Sequence, residues 1–99
     1  LEVLKMFFLG IDWSEKYLDY CIENLSGNVI LRSRADNSDD GFNSLLSKLA
    51  QEKIDFREIA VAIESSHQRV VDFLLARGVS VYPVNPKAVH DYRKSRLFV

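Results

Sequence analysis

The chain has 99 residues, 47% of them hydrophobic, and 13 Lys and Arg against 14 Asp and Glu give a formal net charge of −1. That length fits one small domain with a modest core, and the near-neutral charge excludes nucleic-acid binding by bulk charge alone while leaving local patches open. A single cysteine, Cys21, excludes an intrachain disulfide or a multi-cysteine zinc site and suits a reducing, cytosolic setting.

No apolar stretch approaches the roughly 20 residues of a membrane span, and Leu1 to Leu9 lacks the basic lead and cleavage site of a signal peptide. The expectation is a soluble intracellular protein. Met6 reads as the natural start of a domain over residues 6–99, with residues 1–5 a remnant outside it.

The first predicted strand, about Lys5 to Asp12, contains the apolar run Met6-Phe7-Phe8-Leu9-Gly10-Ile11 and closes on a carboxylate. A second follows over Tyr17 to Glu23, with Cys21 expected to fill the core. Asn24-Leu25-Ser26-Gly27-Asn28 reads as a hairpin turn into a third strand, Val29 to Arg34. The period then changes. Ser38 or Asp39 caps a helix with Phe42, Leu45, Leu46, Leu49 and Ala50 at spacings of three and four. The run Ile59-Ala60-Val61-Ala62-Ile63 is a fourth strand, again closed by a carboxylate, Glu64. Ser65 and Ser66 are cap candidates for a second helix carrying Val70, Val71, Phe73, Leu74 and Leu75 and stopped by Gly78. Val79 to Val84 is a short fifth strand, and Asn85-Pro86 opens a third helix with Ala88, Val89 and Tyr92 as a thin apolar face.

The order βββαβαβα, a meander followed by two right-handed crossovers, is that of a ribonuclease H-like α/β fold with a mixed five-stranded sheet. Such a sheet sets the Asp12 strand centrally with the Glu64 strand parallel beside it. Backbones about 4.8 Å apart would let the two acids share a divalent cation at the strand ends, where open α/β sheets place their chemistry. Phosphodiester cleavage needs this kind of oxygen-rich anionic site, with two carboxylates as a minimum. The plainer alternatives are a turn cap for Asp12 and a surface salt bridge for Glu64.

Other residues carry weaker signals. His67 could touch phosphate or decorate a helical turn. Asp19 alternates with Tyr20 and Ile22 and reads as part of a solvated face, while Trp13 is equally suited to walling a site and to packing. Lys87, Arg93, Lys94 and Arg96 form the basic cluster and are the candidates for backbone phosphate contact, although on a helix their charges spread rather than form one stripe.

Three ordered segments resemble a known family: Phe8-Leu9-Gly10-Ile11-Asp12-Trp13-Ser14 with Lys16, Val61-Ala62-Ile63-Glu64 with His67, and Val81-Tyr82-Pro83-Val84-Asn85-Pro86-Lys87 with Tyr92-Arg93. The chain is similar over nearly its whole length to the amino-terminal part of the DEDD-type transposases of the insertion-sequence-110 family, whose first domain is RuvC-like. Gly-Ile-Asp alone is shared with actin-like kinases; the set with Tyr-Pro-x-Asn-Pro-Lys is much more specific.

The resemblance implies metal-dependent DNA strand cleavage and transfer, transposition of an insertion sequence, with Asp12 and Glu64 as the first two of four acids and Mg²⁺ or Mn²⁺ as cofactor. In the family the third and fourth acids belong to an Asp-x-x-Asp element after the Asn-Pro-Lys helix, and a further domain bears an essential serine; the sequence stops at Val99 before both, as expected of a fragment, an isolated domain or an interrupted copy, and Asp91 takes no role. Partners implied are DNA, an element-encoded guide RNA and further copies of the chain, in a prokaryotic cytoplasm at the nucleoid. The fragment alone is expected to bind Mg²⁺ weakly and to cleave little. Two other classes compete: an actin-like ATPase or sugar kinase whose acid positions a phosphate-bound metal, and a non-catalytic assembly or nucleic-acid-binding module.

Overall fold

The computed structural model describes residues 5–64 and 68–84. The elements run β1 (Phe7–Trp13), β2 (Tyr17–Asn24), β3 (Val29–Asp36), α1 (Asp39–Gln51), a 3-10 turn (Phe56–Glu58), β4 (Ile59–Ile63), α2 (Arg69–Leu75) and β5 (Ser80–Pro83). They build one five-stranded sheet in the order β3-β2-β1-β4-β5. β1 pairs with β2, and β2 with β3, antiparallel, whereas β1 pairs with β4, and β4 with β5, parallel. This is the ribonuclease H-like arrangement that the element order predicts. The third helix expected after Asn85 lies outside the described residues.

Local chemistry explains each junction. In the β2–β3 turn, Asn24 Oδ1 accepts the backbone N–H groups of Ser26 and Asn28, both at 3.0 Å, and Gly27 takes the left-handed φ of 81° that the turn demands. Ser38 caps α1 by accepting the Gly41 N–H on its hydroxyl at 3.2 Å. Gly41 itself is there for contact rather than for freedom: a Cβ at this position would overlap the Asp36 carbonyl oxygen. Asp55 caps the 3-10 turn through Arg57 N–H at 2.8 Å. The second helix begins later than Ser65 and Ser66 suggest, at Arg69 with Gln68 as an N-cap that makes no side-chain cap bond.

Leu9, Ile11, Leu18, Tyr20, Ile22, Ile59, Val61 and Ile63 line one sheet face and meet Phe42, Leu45 and Leu49 of α1 and Val70, Val71 and Leu74 of α2 in a single core. Phe42 and Phe73 join the two helices at a ring-centroid distance of 5.2 Å. The alternate residues of the same strands, Phe8, Asp12, Asp19, Ala62 and Tyr82, are exposed. Cys21 belongs with this second set: it is half-buried between buried Tyr20 and Ile22, so the period of two directs it away from the core that it was expected to fill.

Candidate functional site

The two carboxylates emerge from adjacent strands at the same level. Parallel pairing of β1 with β4 runs from Phe7 opposite Ile59 to Ile11 opposite Ile63, so Asp12 and Glu64 are the next residues along each chain. Their backbones are about one strand spacing, ~4.8 Å, apart. Ile11 and Ile63 are buried and both acids are exposed, at the carboxyl ends of parallel strands.

The row continues across the sheet. Asp12 stands opposite Asp19 in β2, and Asp19 stands opposite Arg34 in β3. The Asp19 carboxylate accepts from Arg34 twice, Nε to Oδ1 at 2.8 Å and Nη2 to Oδ2 at 3.2 Å, while the guanidinium carbon lies 4.8 Å from the centre of the Tyr17 ring. The hydrogen bonds from Arg34 hold the Asp19 carboxyl below its ordinary value, and those to Asp19 raise the arginine. Asp19 is therefore engaged by a cation of the protein itself. Asp12 and Glu64 stand beside it at the ends of β1 and β4.

The turn that follows Asp12 is tied down. Ser14 N–H donates to the Tyr17 carbonyl at 2.8 Å, Asn37 Nδ2 donates to the Ser14 carbonyl at 2.8 Å, and Asn37 N–H donates to the Lys16 carbonyl at 2.8 Å. Asn37 thus clamps the β1–β2 turn from beyond the end of β3 and fixes the exit of β1. Trp13 packs against the core, and its indole Nε1 is buried with no hydrogen-bond partner among the described residues. Packing, rather than walling of the site, is the role seen for it.

Among the described residues, no group of three or more His, Cys, Asp or Glu side chains comes together to hold a metal ion. Two carboxylates nevertheless suit a hard cation such as Mg²⁺, which is bound through one or two carboxylates and completes its octahedron with water and substrate phosphate. Ser65, Ser66, His67 and the whole basic set, Lys87, Arg93, Lys94 and Arg96, lie outside the described residues. Sequence reasoning passed over Arg34, Tyr17 and Asn37, whose importance appears only with the strand register. No helix among the described residues is long and apolar enough to cross a membrane.

Residues 9–97 match the family model of the DEDD transposases of IS110, described as a transposase family. A protein of Streptomyces coelicolor named as the mini-circle transposase for IS117 is 36% identical over 87 residues, a match that covers 87% of this chain and 21% of that protein. The chain spans about a fifth of the length of this relative. A solved structure from Bacteroides thetaiotaomicron, a protein with an actin-like ATPase fold and unknown function, aligns with a TM-score of 0.65 at 13% identity, over 86% of this chain and 35% of that one. This last likeness concerns the fold alone.

Proposed function

Because the chain belongs to the DEDD transposase family of IS110, we propose that it is the amino-terminal part of a metal-dependent domain that cuts and rejoins DNA, with Asp12 and Glu64 holding Mg²⁺ or Mn²⁺. The observation that carries this reading is the parallel register ending at Ile11 and Ile63, which delivers both acids to one end of two neighbouring strands. A bound divalent ion supplies charge neutralisation and polarisation of a phosphodiester. The protein's own part is to present two carboxylate oxygen donors on a fixed strand exit, with Asn37 securing the turn beyond Asp12. In the full-length protein this unit would act on DNA with the remaining acids of the tetrad, an element-encoded guide RNA and further copies of the chain, in the cytoplasm at the nucleoid. Lys87, Arg93, Lys94 and Arg96 are proposed to approach nucleic-acid phosphates.

Calorimetric titration of Mn²⁺ into the chain tests the metal assignment. Weak binding is expected for the wild type, and Asp12→Asn or Glu64→Gln should abolish it with an unchanged circular dichroism spectrum. Wild-type binding by the Asp12→Asn, Glu64→Gln double variant would overturn it. Nuclease activity of the isolated chain should be slight.

A further inference from the structure

Arg34 is an exposed arginine held on two sides. Its side chain is 60% exposed, yet the guanidinium is held on one edge by both oxygens of Asp19 and lies over the face of Tyr17. A long cationic side chain on a surface ordinarily gives up conformational freedom when it binds an anion. Here much of that ordering is already in place, and the Nη1 edge lies outside the Asp19 pair.

Position gives the fixation a purpose. Arg34 lies two strands from Asp12 in the same cross-sheet row, at roughly 10 Å by strand spacing. Beyond it an open groove of about 410 Å³ between β3 and α1 is lined by Tyr17, Arg34, Asp36, Asp40 and Ser44, whose two carboxylates disfavour phosphate on that side. Carboxylates therefore flank Arg34 on both sides, and a cation held by Asp12 and Glu64 is what would make the Asp12 end of the row the favourable direction for a polyanion.

We propose that Arg34, fixed by Asp19 and Tyr17, is a phosphate contact for a DNA strand lying across the open sheet face toward the Asp12 and Glu64 carboxylates. The inference rests on the metal-site reading for the direction of the strand. Arg34 is a positioning residue: it acts on the strand's backbone, and the cation site acts on the bond to be cut.

The molecule provides a matched control. Arg57 makes the same kind of fork with Asp55, Nη2 to Oδ2 at 3.0 Å and Nε to Oδ1 at 3.3 Å, and is likewise exposed. It precedes β4, whereas Glu64 follows it, and the five residue steps from Ile59 to Glu64 span roughly 17 Å at ~3.3 Å per residue. Equal charge is thus available at the wrong end of the sheet.

The experiment is fluorescence anisotropy of a labelled single-stranded DNA oligonucleotide with the whole chain, over a range of salt, in EDTA and again in Mn²⁺. In EDTA, Arg34→Gln should weaken binding about tenfold and reduce the slope of log affinity against log salt by roughly 0.7, the value for one lost phosphate contact on a single strand. Arg57→Gln should leave both within error. Arg34→Lys, which keeps the charge but cannot form the fork with Asp19, should recover the salt slope and only part of the affinity. Equal effects of Arg34→Gln and Arg57→Gln, an Arg34→Lys variant that keeps the reduced salt slope of Arg34→Gln, or no binding by the wild type would each overturn the proposal. The Mn²⁺ arm separates the two readings: an increment in affinity that Asp12→Asn removes belongs to the metal site, and its absence sinks that reading while the EDTA comparison still decides the role of Arg34.

Discussion

The two faces of the sheet are made by the same strands and obey opposite rules. In β1, Leu9 and Ile11 point into the core at 1% and 4% exposure, while their neighbours Phe8 and Asp12 are exposed. The same division runs through β2, where buried Leu18, Tyr20 and Ile22 interleave with exposed Asp19 and half-buried Cys21, and through β4, where Val61 and Ile63 flank exposed Ala62. Stability is concentrated on the helix-covered face, and charged groups that could meet a ligand stand on the other. The period of two therefore lets one short strand serve both ends without a residue that must satisfy both.

Adjacent residues in one strand offer the sharpest way to break this comparison. Leu9→Ala deletes a fully buried side chain packed in the common core and should cost about 3 kcal/mol, whereas Phe8→Ala, although it removes a larger side chain, should cost about 1 kcal/mol or less. Urea denaturation of the two variants measures the difference. Comparable losses would mean that the open face also carries structural packing. Gly41→Ala comes next in size. Its added methyl group meets the backbone of Asp36 rather than a side chain that could swing away, so α1 must shift from the end of β3 at a cost of about 2 kcal/mol. A thermal midpoint equal to wild type would show that the helix has room to move.

Much of this division is legible in the sequence. The apolar runs that end on Asp12 and Glu64, the Gly27 turn and the Ser38 cap each state a local rule, and together they fix the strand order that brings the acids side by side. The three ordered motif segments, in turn, point to the family that the match over residues 9–97 shows. The partner of Asp19 was harder to read, for a specific physical reason. Counting outward from Glu23 opposite Val29 would set Asp19 against Ser33, but the pairing shifts between Ile22 and Glu23, and Arg34 takes that place instead. One irregular residue in the hairpin decides whether the open face carries a fixed guanidinium beside the acids. Alternation gave the correct face for Asp19, and only the register gives its neighbour.

Acid pH probes the open face without a substitution in the core. Asp19 is held below its ordinary 3.8 mainly by the hydrogen bonds from Arg34, so its folded-state pKa lies below its unfolded one. A group of this kind contributes stability that is fully present above about pH 3.8 and is lost as pH falls through the lower folded value. Asp55 is depressed in the same direction by Arg57, and the two contributions fall in the same acid window. Both pairs are exposed to solvent, so each effect is small and screened by salt. Asp19→Asn should flatten part of the decline in thermal midpoint below pH 4, and Asp55→Asn should flatten a similar part. The two variants should part company in DNA binding at neutral pH, where Asp19→Asn changes binding by loosening the fork that fixes Arg34 and by removing a carboxylate beside it, while Asp55→Asn leaves binding unchanged. A matched acid response with an unmatched binding response would separate an ion pair that merely decorates the surface from one that sets a guanidinium in place for a ligand.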